Sequence, residues 1–138
     1  MRSALRATLF TAAFVVPACT EPLDILGPTP VDEGIVIYIH SGFRGTSQVL
    51  AADVANLGRV EGPCAKEDEE SATLTWDDCV SSIKVRPGWG VTLYRDRDFR
   101  GASMVVTADL ESLAAISGSC DGSFNDCVSS LRVYRLQP

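Results

Sequence analysis

The chain has 138 residues and carries 12 basic side chains against 18 acidic ones, a formal charge of −6 with a single histidine. A surface of that sign repels nucleic acid and anionic lipid headgroups and favours cations, so neither a nucleic-acid partner nor an electrostatic membrane contact is expected. His40 would have to serve any serine nucleophile as its base, and no sequence context supplies a third group to orient it, so no catalytic residue is expected.

Residues 1–18, MRSALRATLFTAAFVVPA, place Arg2 and Arg6 ahead of an apolar run from Leu9 to Val16. The run is too short to span a bilayer as a helix and suits an export signal. It ends in Val16-Pro17-Ala18-Cys19, which resembles the lipobox of bacterial lipoproteins, with Cys19 as the lipid acceptor. Val and Pro at its first two places depart from the commonest form, and ordinary cleavage after Ala18 is the alternative. The expected location is the cell envelope, as an outer-membrane lipoprotein held only by its lipid, or the extracellular space. Loss of the signal removes Arg2 and Arg6 and no acid, leaving 10 basic residues against 18 acidic ones and a charge of −8. The 120 residues left are enough for one domain with one core. Residues 19–34 read as anchor and linker: Pro22, Gly27, Pro28 and Pro30 interrupt any period, and a coil of this length spans on the order of 20 Å.

From Ile35 onward the chain is an internal duplication, residues 35–86 and 91–136. IVIYIHSGFRGTSQVL at 35–50 aligns with VTLYRDRDFRGASMVV at 91–106 at an offset of 56 residues. Each block predicts a hairpin of short β-branched and aromatic runs around a turn. The same offset joins Asp53 to Asp109, Leu57 to Leu113, Gly62 to Gly118 and Cys64 to Cys120. The stretches AADVANL and TADLESLAAI within this span allow a helical turn or two. Thereafter the offset falls to 48, because eight extra residues lie between Cys64 and Cys79 that are missing between Cys120 and Cys127. They belong to AKEDEESATLTW, whose acidic run Lys66 to Glu70 reads as a solvated loop. Val80 to Val85 and Val128 to Val133 alternate apolar and polar residues as half-buried strands do. Arg86-Pro87-Gly88-Trp89-Gly90 turns the chain into the second copy. Trp76, Phe124, Tyr38 and Tyr94 are expected in the core and at its corners.

Five cysteines are an odd number for an exported chain. With Cys19 lipidated, an insertion confined between two cysteines is most simply bracketed by one bridge, giving Cys64–Cys79 and Cys120–Cys127. Zinc is the rival use of four cysteines, but there is no Cys-x-x-Cys pair. Two copies of about four strands with aromatic corners imply paired Greek keys, hence an all-β sandwich.

Two further patterns each occur twice: Tyr38-x-x-x-x-Phe43-x-Gly45 with Tyr94-x-x-x-x-Phe99-x-Gly101, and DDCVSS at 77–82 with NDCVSS at 125–130. From Ile35 to Leu136 they resemble the aromatic hairpin and the calcium motif of the βγ-crystallins, in the right order. The residue chemistry agrees, because calcium takes six to eight oxygens from carboxylates, hydroxyls, carbonyls and water. Asp77, Asp78, the Cys79 carbonyl and Ser81 offer such donors, as do Asn125, Asp126, Cys127 and Ser129. The resemblance adds a backbone carbonyl near Ile39 and near Arg95, two calcium ions shared across a pseudo-two-fold, and a structural or surface role. Which leading acid serves which ion stays open. Asp, Asn and Ser are also turn formers, so a metal-free crystallin-like scaffold is the plainer reading of the same residues. Secreted bacterial metalloprotease inhibitors share the fold, and under that alternative Cys64 to Cys79 bounds the inhibitory loop. No other protein partner is named by the sequence.

Overall fold

The computed structural model describes residues 32–65 and 74–138. The expected signal, Cys19, most of the expected linker and the acidic run Lys66 to Glu70 lie outside the described residues. The first repeat contributes strands β1 (Ile35–His40), β2 (Arg44–Leu50), β3 (Glu61–Cys64) and β4 (Ser82–Val85). The second contributes β5 (Trp89–Asp96), β6 (Arg100–Val106), β7 (Ser117–Cys120) and β8 (Ser130–Arg135). They build two three-stranded antiparallel sheets, ordered β2-β1-β4 and β6-β5-β8, in an all-β fold.

The duplication carries through to the register. Ile37 faces Gln48 on one side and Ile83 on the other, and Leu93 faces Met104 and Leu131 in the same way. Because alternate strand residues share a face, Ile35 and Ile37, then Val91 and Leu93, point inward and are fully buried. The core between them is filled in pairs as well: Leu57 and Leu113, Trp76 and Phe124, Val80 and Val128, Ile83 and Leu131. Burying each large apolar side chain stabilises by roughly 1.5–3 kcal/mol.

Each hairpin folds over at its aromatic corner. The Tyr38 and Phe43 rings meet edge to face at 5.9 Å, and Tyr94 and Phe99 at 5.8 Å. Phe43 and Phe99 take φ values of +57° and +59°, a left-handed conformation that L residues adopt only when their surroundings hold them there. Those surroundings include a serine. Ser82 Oγ accepts from Phe43 N at 3.0 Å and donates to His40 O at 2.6 Å. Ser130 Oγ does the same with Phe99 N and Asp96 O, at 3.0 and 2.6 Å. Lys84 then lies 4.8 Å above the Phe43 ring and Arg132 lies 4.4 Å above that of Phe99, cation–π contacts that cover both corners.

The helical expectation holds only as single 3-10 turns, Leu57–Arg59 and Leu113–Ala115. Both disulfides expected from the insertion are present, Cys64–Cys79 and Cys120–Cys127. Beside them Gly62 and Gly118 lie under aromatic rings. A Cβ would fall 2.6 Å from Trp76 Cδ1 in one and 2.4 Å from Phe124 Cδ2 in the other, and about as close to the carbonyl groups of Thr75 and Ser123, so neither position tolerates a side chain unless the backbone shifts.

The stretch before each 3-10 turn leaves its own sheet. Val54 exchanges both backbone hydrogen bonds with Leu131 of β8 at 2.9 Å, and Leu110 exchanges them with Ile83 of β4 at 2.8 and 3.0 Å. Asp53 and Asp109 finish the exchange, their Oδ1 atoms accepting from Val133 N and Val85 N at 2.9 Å. Each sheet is thus completed by a segment of the other repeat, and the two Greek keys are interlocked.

Candidate metal centre

Each hexapeptide passes through a tight turn before entering β4 or β8. Asp78 and Asp126, at the second place of the two motifs, have φ values of +53° and +51°, which aspartate tolerates better than most residues. The bend sends both backbones across the repeat boundary: Asp78 N donates to Val128 O at 3.2 Å, and Asp126 N donates to Val80 O at 3.3 Å. The side chains cross with them.

At one centre Ser81 Oγ donates to Ile39 O at 2.9 Å and lies 3.2 Å from Asp126 Oδ1. At the other, Ser129 Oγ lies 3.3 Å from Asp78 Oδ1. Among the described residues, no hydrogen bond joins Ser129 Oγ to the Arg95 carbonyl. Both serines are buried. A serine and an aspartate of the same hexapeptide are therefore not partners; each serine meets the aspartate of the other repeat.

The residues at the first place of each motif behave differently. Asp77 is buried, its side chain only 2% exposed, and its Oδ2 accepts from Arg97 Nη2 at 2.9 Å. Asn125 donates through Nδ2 to Asp126 Oδ2. Cys79 and Cys127 are buried in their disulfides. Arg95 and Asp96 form an exposed pair at 2.9 Å, and the hydrogen bond from Arg95 holds the Asp96 carboxyl below its ordinary range. His40, the only histidine, is exposed at the end of β1.

The chemistry of the Ser81 centre fits a hard cation. A carboxylate, a hydroxyl and a backbone carbonyl converge there, all oxygen donors, on the open rim of which water can complete a calcium shell. The Ser129 centre has its carboxylate and hydroxyl in a cavity that is also lined by Arg95, Arg97 and Arg100. Sequence reasoning missed two features. Ser82 and Ser130 pin the hairpin corners, and their signal was repetition at the sixth place of each motif. Arg97 reaches Asp77 from the other repeat, and its signal was that Ser41 stands at the equivalent position.

The family model described as peptidase inhibitor family I36 matches residues 37–106, which run from β1 through β6. Among solved structures, a βγ-crystallin domain from Flavobacterium johnsoniae is 30% identical with a TM-score of 0.54, covering 73% of this chain and 93% of its own. The chain belongs to the βγ-crystallin family. It belongs to peptidase inhibitor family I36 as well, a related family of crystallin-like fold. This βγ-crystallin chain is also similar in fold to the N-terminal domain of protein S, at 24% identity and a TM-score of 0.57 over 77% of this chain and all of the other. A βγ-crystallin from Ciona intestinalis matches at 24% identity and a TM-score of 0.53, over 72% of this chain and 96% of the other. No curated protein matches this βγ-crystallin chain.

Proposed function

We propose that the chain is a calcium-binding βγ-crystallin module of an exported protein, with a structural or adhesive role and no catalytic activity. One observation carries this reading: Ser81 Oγ is held between the Ile39 carbonyl and the Asp126 carboxylate of the other repeat. Three hard oxygens brought together from distant points of the chain suit calcium, and two disulfides suit an oxidising compartment where calcium is plentiful. A site with a single carboxylate belongs to the weaker range, roughly micromolar to millimolar. Calorimetric titration of the whole chain with calcium tests it; absence of both heat and thermal shift at millimolar calcium would leave the hexapeptides as turns. The lipid anchor rests on Cys19 and is tested separately, since Cys19→Ala should move the protein out of the membrane fraction.

A second reading is favoured by the match to peptidase inhibitor family I36 over residues 37–106. In it the chain inhibits an extracellular metalloprotease through the loop closed by Cys64 and Cys79. Inhibition by calcium-free protein, lost on cutting that loop, would support it against the first.

A further inference from the structure

We infer that the two centres are not equivalent: calcium is taken at the Ser81 centre, while at the Ser129 centre the guanidinium of Arg97 supplies the positive charge. This rests on the calcium reading above and narrows it from two ions to one.

The duplication provides the comparison. By the offset of 56, Arg97 stands where the first repeat has Ser41; by the offset of 48, Asp77 stands where the second has Asn125. Both differences replace a neutral residue with a charged one, the charges are opposite, and they occur in different repeats. The interlocked fold brings them to one place. Arg97 Nη2 meets Asp77 Oδ2 at 2.9 Å on the cavity that also holds Asp78 and Ser129. At the other centre the counterparts make different contacts: Ser41 Oγ bonds to Ser112 Oγ at 3.1 Å, its carbonyl accepts from Arg44 Nε at 3.1 Å, and Asn125 turns its amide to Asp126.

Physical chemistry keeps Arg97 in place. An ionised carboxylate as buried as that of Asp77 requires a compensating cation, and Arg97 provides it. A divalent ion at Ser129 would have to share the cavity with that guanidinium and be repelled by it. The other two arginines on the cavity wall are paired with acids, Arg95 with Asp96 and Arg100 with Asp98. Among the described residues, Ser129 Oγ also makes no hydrogen bond to the Arg95 carbonyl to match the one from Ser81 Oγ to Ile39 O.

The experiment is a calorimetric calcium titration of the whole chain and of three variants. The native protein should bind one ion. Ser81→Arg should abolish that binding, and Ser129→Arg should keep its constant within about threefold, since the charge it adds lies at the other centre. Arg97→Ser combined with Asp77→Asn recreates the Ser41 and Asn125 arrangement, and should raise the stoichiometry from one ion to two. Two ions of similar affinity in the native protein, or loss of all binding in Ser129→Arg, would overturn the inference while leaving the calcium reading intact. Absence of binding in both the native protein and the double variant would overturn the two together. Should the double variant fail to fold, the contrast between Ser81→Arg and Ser129→Arg decides alone.

Discussion

Ser81 and Asp126 come from different repeats, yet Ser81 Oγ lies 3.2 Å from Asp126 Oδ1. A centre divided in this way should be lost from either side. Asp126→Ala and Ser81→Ala should each weaken calcium binding by at least about tenfold, and the double variant should be little worse than either single one. In the native protein, calcium at a hundredfold over its dissociation constant should add about 2.7 kcal/mol of stability if one ion binds only the folded chain. Thermal unfolding with and without calcium measures this, and an undiminished shift in Asp126→Ala would contradict the cross-repeat centre.

The interlocked sheets make the repeats interdependent. A chain ending at residue 88 lacks Leu110 and Asp109, which complete the edge of β4 at Ile83 and Val85. It should show no cooperative unfolding transition. In the intact chain, Asp109→Ala and Asp53→Ala should each cost about 1 kcal/mol, as expected for one hydrogen bond to a carboxylate near the surface. Urea unfolding gives these values; a truncated chain that unfolds cooperatively as a monomer would show that each repeat is self-sufficient.

The two disulfides close loops of unequal length, with sequence separations of 15 and 7. In the chain-entropy description, removing Cys64–Cys79 should cost about 3 kcal/mol and removing Cys120–Cys127 about 2 kcal/mol. Paired Cys→Ser variants under urea test the order. Equal losses, or a larger one for the shorter loop, would mean that the bridges act through folded-state contacts.

Acid stability should carry a small signature of the Arg95–Asp96 pair. The hydrogen bond from Arg95 depresses the Asp96 carboxyl in the folded chain, so its contribution is present above the unfolded value and disappears as pH falls through the lowered folded one. The window therefore lies below pH 3.8, the ordinary value for this carboxyl. Asp96→Asn should flatten that part of the acid limb and barely change unfolding at neutral pH, because both side chains are close to half exposed and water screens them. Circular dichroism during an acid titration compares the two; superimposable acid limbs would exclude the effect.

Much of this architecture was legible in the order of residues, because its signals are local or arithmetical. The duplication, the aromatic hairpins, the alternating strands and the bridging of Cys64 to Cys79 and of Cys120 to Cys127 each follow from period, spacing or an insertion that leaves its surroundings undisturbed. What the sequence could not assign was partnership across the two-fold. DDCVSS sets Asp78 and Ser81 three places apart, which suggests one site, but the left-handed turn at Asp78 carries its carboxylate to Ser129 instead. The departure of residues 53–57 and 109–113 to the opposite sheets was hidden for a similar reason. Their apolar spacing fits a helical turn as well as a strand edge, and only the exposed backbone of β8 and β4 selects between them. Arg97 and Asp77 carry no mutual signal along the chain; their pairing exists because interlocking places a buried carboxylate within reach of the one hairpin that has an arginine where its twin has Ser41.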